Sequence, residues 1–135
     1  MSMRGRMMFD IPEETVQIAQ AAFPKGNVYM TMRDELGVVY TDHEFAGMFA
    51  WGGQPAEAPG LLAMVTIMQY AEGMTDRQAA EGVRSRIDWK YALGLELTDP
   101  GFDHSVLSQF RDRLIANEQE EQLLEQMLKR LQEKE

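Results

Sequence analysis

Leu61–Leu97, LLAMVTIMQYAEGMTDRQAAEGVRSRIDWKYALGLEL, is the stretch on which the fold turns. It opens on an almost unbroken apolar run, Leu61 to Met68, and only Gln69 and Glu72 add polarity before the breaker Gly73. A helix apolar on nearly every side is one that other helices surround. A short turn, Gly73-Met74, leads into a new helix start. Thr75 reads as its N-cap, and Gln78 three residues on completes a capping box. The helix from Asp76 to about Val83 carries Ala79, Ala80 and Val83 on one face, small enough for close approach. A third segment, Ile87 to Leu95, follows within a few residues. Helix, glycine-containing turn, helix, then a further helix is the outline of a helix-turn-helix-like unit. The same outline is common in bundles that never meet DNA.

Outward from this centre, each boundary has its own chemistry. The first helix starts near Pro12, suited to the first helical position, with Asp10 as cap and Glu13-Glu14 facing the positive helix end. Its apolar stripe is Val16, Ile18, Ala19, Ala22 and Phe23, and Pro24-Lys25-Gly26 stops it. Asn27 caps a second helix, Val28 to Leu36, ended by Gly37. Val38-Val39-Tyr40 reads as a buried connector. Thr41 and Glu44 form another capping box, opening a short helix with the face Phe45, Met48, Phe49; Trp51–Pro55 is a loop. On the far side, Thr98-Asp99-Pro100-Gly101 is a turn, and Asp103 or Ser105 caps a helix to about Ala116 with the face Val106, Leu107, Phe110, Leu114, Ile115. A last helix from about Glu118 repeats Leu123, Leu124, Met127, Leu128 and Leu131. No useful period-2 alternation appears. The expectation is an all-α, single compact domain of about six to seven helices over residues 11–135, behind a flexible segment at residues 1–10.

The totals narrow the classes of function. A chain of 135 residues is one domain by length and buries about two-thirds of its unfolded surface. It has no cysteine, which removes disulfides and thiolate metal sites and makes the cytoplasm the natural compartment. The N-terminus has no long apolar segment behind Arg4 and Arg6, so it does not read as a signal peptide, and Leu61–Ala71 is too short to span a bilayer. With a net charge of -9, the chain as a whole is repelled by phosphate backbones, so any nucleic-acid contact must rest on a local basic patch. Eleven methionines fill core positions on the simpler reading and an adaptable contact surface on the sharper one.

The candidate patch is Arg77, Arg84, Arg86 and Lys90. Arg84, Arg86 and Lys90 would meet phosphates around a third helix laid in the major groove, with Arg77 on the preceding helix. The competing reading pairs them with Asp88 and Glu81 as ordinary solvated charges. Between residues 74 and 93 these four cations face three acids, Asp76, Glu81 and Asp88, so composition does not decide. His43 and His104 each sit beside an aspartate in a helix first turn, where capping and solvation explain them; Asp42, His43 and Glu44 are consecutive and point different ways, a poor metal site. Trp89 beside Leu93 and Leu95 reads as core. Gly52-Gly53 lacks the lysine of a phosphate loop. No enzymatic constellation and no cofactor site is legible. The stripe of Leu124, Leu128 and Leu131 is a candidate interaction surface in trans.

Several strings, in order, carry a resemblance. Ala22–Asn27 (AFPKGN), Arg33–Gly37 (RDELG), Gly53–Pro59 (GQPAEAP), Ala71–Ala80 (AEGMTDRQAA), Arg86–Leu95 (RIDWKYALGL), Asp99–Asp103 (DPGFD), Ser105–Ser108 (SVLS) and Phe110-Arg111 together resemble the N-terminal domain of InsH-type bacterial insertion-sequence transposases of the DDE class. The likeness spans about residues 10–131. It implies a helical domain that engages the double-stranded DNA of transposon ends and helps assemble the transposase, ahead of an RNase H-like catalytic domain with three metal-binding carboxylates. The chain stops at Glu135, before such a domain would fit, so the resemblance argues against catalysis here. The expected partners are transposon-end DNA, a second copy of the chain or a catalytic transposase, and no membrane. The alternative is a protein-interaction or oligomerisation module derived from a transposase.

Overall fold

A computed structural model describes residues 11–37 and 59–116, together with positions 125 and 129. These residues form six helices: α1 Glu13–Ala22, α2 Val28–Leu36, α3 Pro59–Glu72, α4 Asp76–Ser85, α5 Ile87–Leu93 and α6 His104–Ala116. Among the described residues there is no strand, and the fold is all-α. The segment 1–10, the connector at 38–40, the capping box of Thr41 and Glu44 and the loop at 51–55 lie outside the described residues. So does the stripe of Leu124, Leu128 and Leu131. Glu125 and Lys129 are helical and exposed.

The apolar run of α3 explains its place. Leu62, Ala63, Met64, Val65, Thr66 and Met68 are all buried, and α3 meets α4, α5 and α6. It ends in a Schellman closure: Met74 N–H donates to the Gln69 carbonyl at 3.0 Å and Gly73 N–H to that of Tyr70 at 3.2 Å, with Gly73 at φ 66°. The expected capping box opens α4, Gln78 N–H donating to Thr75 Oγ1 at 3.1 Å and Thr75 N–H to Gln78 Oε1 at 2.9 Å. One extended residue, Arg86 at φ -95° and ψ 125°, then turns the chain into α5.

α5 is the hub. It packs chiefly on α1 and α2, while α4 packs on α6. Asp88, Trp89, Lys90, Tyr91 and Ala92 are all buried. The helix stops at Leu93, two residues before expectation, because Gly94 takes the left-handed conformation and Leu95 N–H returns to the Lys90 carbonyl at 2.9 Å. Trp89 is fully buried, as its neighbours implied, and meets Tyr29 edge-on at 6.0 Å. α2 matches its expected bounds, with Asn27 Oδ1 accepting from Tyr29 and Met30 N–H groups at 3.1 Å. α1 departs from expectation. Pro12 is its N-cap rather than its first residue. Thr15 and Ala19 are the buried positions, while Ile18 stays 40% exposed. Thr15 is buried because its hydroxyl donates to the Leu95 carbonyl at 2.7 Å. Among the described residues no helix is long and apolar enough to cross a membrane.

Candidate nucleic-acid interface

The outer face of α4 is built by its own periodicity. Ala79, Gly82 and Val83 turn inward and are buried, so Arg77, Glu81 and Arg84 turn outward and are exposed. Arg84 Nη2 lies 2.7 Å from Glu81 Oε1, with side chains 62% and 58% exposed. Such an exposed pair contributes only a few tenths of a kcal/mol, about 0.3–0.5, and opens readily.

Against this face lies the turn that leads into α6. Asp99 Oδ1 accepts from Gly101 N–H at 2.8 Å, which curls the chain so that Gly101, at φ 74°, approaches α4. A Cβ there would stand 3.4 Å from Val83 Cγ1 and under 4 Å from the backbone of Ala80 and Arg84. Asp103 then caps α6, its Oδ2 accepting from the Ser105 hydroxyl at 2.6 Å and N–H at 3.0 Å. Those bonds, the hydroxyl's first, hold the Asp103 carboxyl below the usual carboxylate range, and the charges of His104 and Arg77 add to the effect. Between turn and helix opens a cleft of about 410 Å³, with Arg77, Ala80, Glu81 and Arg84 on one wall and Pro100, Phe102, Asp103 and His104 on the other.

The other two cations of the expected patch face elsewhere. Arg86 is the centre of an ion network that ties α2, α3 and α5 together. Its Nη1 donates to Glu72 at 2.8 Å, and its Nε and Nη2 donate to Asp88 at 3.1 and 2.8 Å. The guanidinium stacks over Tyr29 and Trp89, 5.6 and 5.1 Å from the ring centres. Asn27 Nδ2 completes the Asp88 shell at 3.0 Å, and the Tyr29 hydroxyl donates to Glu72 at 2.5 Å. Arg86 first, then Tyr29, hold the Glu72 carboxyl below its ordinary value. Burial and that same carboxylate push the Tyr29 phenol up.

Lys90 is 2% exposed, with its ammonium on the Asp99 carbonyl. Burial pulls its affinity for the proton down. α5 therefore cannot lie in a groove as placed: the helix expected to do so is enclosed by α1 and α2, and Lys90 fixes the Asp99 turn instead. Arg111 is likewise committed, its Nη1 and Nη2 donating to the two Asp76 oxygens at 2.6 and 2.8 Å, with Gln69 Nε2 on the same carboxylate at 2.8 Å.

What the structure brings together is thus Arg77 and Arg84 with Phe102, Asp103 and His104. The sequence showed the arginines and the turn separately; the apposition needed Gly101 to pass against α4, which no local pattern states. Among the described residues no group of three or more His, Asp or Glu side chains is placed to hold a metal ion.

The model of one protein family, the transposase domain (DUF772), matches residues 17–113. The chain belongs to this family. The match covers α2, α3, α4 and α5 in full and most of α1 and α6, so the resemblance carried by the strings above is a family membership, with the InsH type still an expectation. No curated protein and no solved structure matches the chain. In this transposase domain the cleft beside α4 is where two exposed arginines and an aromatic ring meet.

Proposed function

We propose that this transposase domain is a non-catalytic module that binds transposon-end DNA and assists transposase assembly. The observation that carries the reading is the pair Arg77 and Arg84. Seven residues apart, they stand on one face of α4, about 10.5 Å apart along the axis, both exposed, with the cleft beside them. The acidic excess lies partly on other elements: Glu13 and Glu14 open α1, and Asp34 and Glu35 close α2, all four exposed. An acidic protein that binds DNA through one face must present that face and no other, and α4 offers it. These contacts fall on phosphates and set register; they read no base.

The test is duplex binding by fluorescence anisotropy across a salt series. Replacing Arg77 and Arg84 together by glutamine is expected to weaken binding at least tenfold and to lower the salt slope by about two, one per lost phosphate contact. A double variant that binds as the wild type does overturns the reading. A second reading, an oligomerisation module, is favoured by apolar side chains left in solvent, among them Val28 at 73%, Tyr70 at 71% and Ile115 at 58% exposure. Sedimentation separates the two, since a chain that is monomeric at high concentration has no use for such a surface.

A further inference from the structure

We propose that the cleft between α4 and the Pro100–His104 turn seats one unpaired nucleotide, its phosphate at the arginine rim and its base against the Phe102 ring. The proposal rests on the reading of Arg77 and Arg84 as phosphate contacts and adds to it a base outside the duplex.

The volume, about 410 Å³, is within the range of about 300–1,000 Å³ that small-ligand sites occupy. A duplex backbone needs no cavity of this kind; phosphates on an intact double strand are met by a convex or flat basic surface. The walls differ in chemistry. One carries two guanidinium groups, and the other carries Pro100 and the half-buried ring of Phe102. A ligand that uses both is anionic at one end and flat and apolar at the other. A free phosphate or a lipid headgroup would leave the ring idle, whereas a nucleotide of a single strand uses the ring as a stacking platform.

The two carboxylates of the cleft fit the same ligand. Glu81 and Asp103 would repel a second phosphate, which limits the site to one nucleotide. They accept hydrogen bonds, and the exocyclic amino groups of bases donate them. Both bonds that Asp103 takes from Ser105 fall on Oδ2, so a base amino group would meet Oδ1. Arg84 gives Glu81 one of its five donors and has others for the phosphate. The seat is also rigid: Gly101 is wedged against α4 and Asp103 is fixed as the α6 cap, so little ordering is left to be done on binding.

The experiment compares one short blunt duplex with the same duplex carrying single-stranded tails, by anisotropy on the full chain. The tailed DNA is expected to bind about fivefold tighter or more, the low end of what one base–aromatic stack contributes. Phe102→Leu, which keeps an apolar side chain and removes the stacking face, should abolish that difference. A tail made of abasic residues should bind the wild-type chain as the blunt duplex does, a result that needs no protein variant. If tailed, abasic-tailed and blunt DNA bind alike, the nucleotide seat is wrong while the duplex reading stands. If none binds, both readings fail.

Discussion

Replacing Arg86 by lysine keeps the positive charge and removes the fork. In the structure the fork makes three charge-assisted bonds, one to Glu72 and two to Asp88, over the faces of Tyr29 and Trp89. An ammonium is a point donor on a flexible stem, and it cannot span two carboxylates in one plane. Two of the three bonds are therefore lost. A hydrogen bond to a charged group contributes about 1.5–3 kcal/mol when well buried. The Arg86 side chain is 32% exposed and that of Glu72 29%, against 7% for Asp88, so the Glu72 contribution is screened and the Asp88 one is not. Asp88 also keeps Asn27 Nδ2 and the Trp89 N–H, which spares it the full penalty of an orphaned carboxylate. The net loss is about 2–3 kcal/mol, or about 6–15 °C in Tm for a domain of this size. Urea and thermal unfolding followed by circular dichroism measure it, with an unchanged urea slope showing that the unfolded state is not the cause. Duplex affinity, taken well below Tm, should stay within about twofold of the wild type, because Arg86 is committed to Glu72 and Asp88 and does not stand on the α4 face. A variant that melts with the wild type but loses DNA affinity would refute the reasoning and return Arg86 to the interface.

Two further predictions test the frame around the cleft. A Cβ on Gly82 would stand 3.2 and 3.3 Å from Cζ3 and Cε3 of the fully buried Trp89; Gly82→Ala is expected to destabilise by about 1 kcal/mol, since overpacking outweighs the gain in helix propensity, and a raised Tm would show that the indole can shift. Asp76 has its folded-state pKa lowered, by the Arg111 bonds first, so its contribution is present above the unfolded carboxylate value, about 3.9, and is lost as pH falls through the folded value. Asp76→Asn should then cost about 1–2 kcal/mol at neutral pH and show a shallower acid loss than the wild type, the two stability curves converging in strong acid; parallel curves would mean that the Arg111 pair does not act.

Local chemistry made the helices legible. Asn27 and Gly37 bound α2, Thr75 with Gln78 opens α4 and Asp103 opens α6, because caps and left-handed glycines act within four or five residues and need no tertiary partner; the stop at Gly94 is of the same kind, and the expected helix overruns it to Leu95. The burial of polar residues was not legible in the same way. Thr15, Arg86 and Lys90 look like surface positions by type, and each is taken inside by a group far along the chain: the Leu95 carbonyl for Thr15, Glu72 for Arg86, the Asp99 turn for Lys90. The reading of these cations as ion-paired helix charges was half of the answer. Arg84 does pair with Glu81 at the surface and Arg86 does pair with Asp88, but only the second pair is built into the frame. The signal that separates them is the aromatic context, since Arg86 lies three residues from Trp89 and its guanidinium is held between that ring and Tyr29.

The division of the cations follows from the place of α5. A seven-residue helix enclosed by α1 and α2 cannot be stabilised by its own length, so its ends are fixed by ionic side chains: Arg86 with Asp88 at the start, Lys90 reaching the Asp99 turn beyond the end. Fixing that turn places Gly101 against α4, and that contact is what turns an exposed helix face into one wall of a cleft. The buried Lys90 therefore acts on the cleft at one remove, by setting the distance between its walls. The two arginines left on α4 are then the part of the basic set free to exchange a neighbour such as Glu81 for a phosphate, at little cost because that pair is exposed. An acidic chain gains from this arrangement. In the proposed DNA-binding role its overall field would discourage non-specific adsorption to nucleic acid, so association would depend on the α4 face being presented in the right orientation.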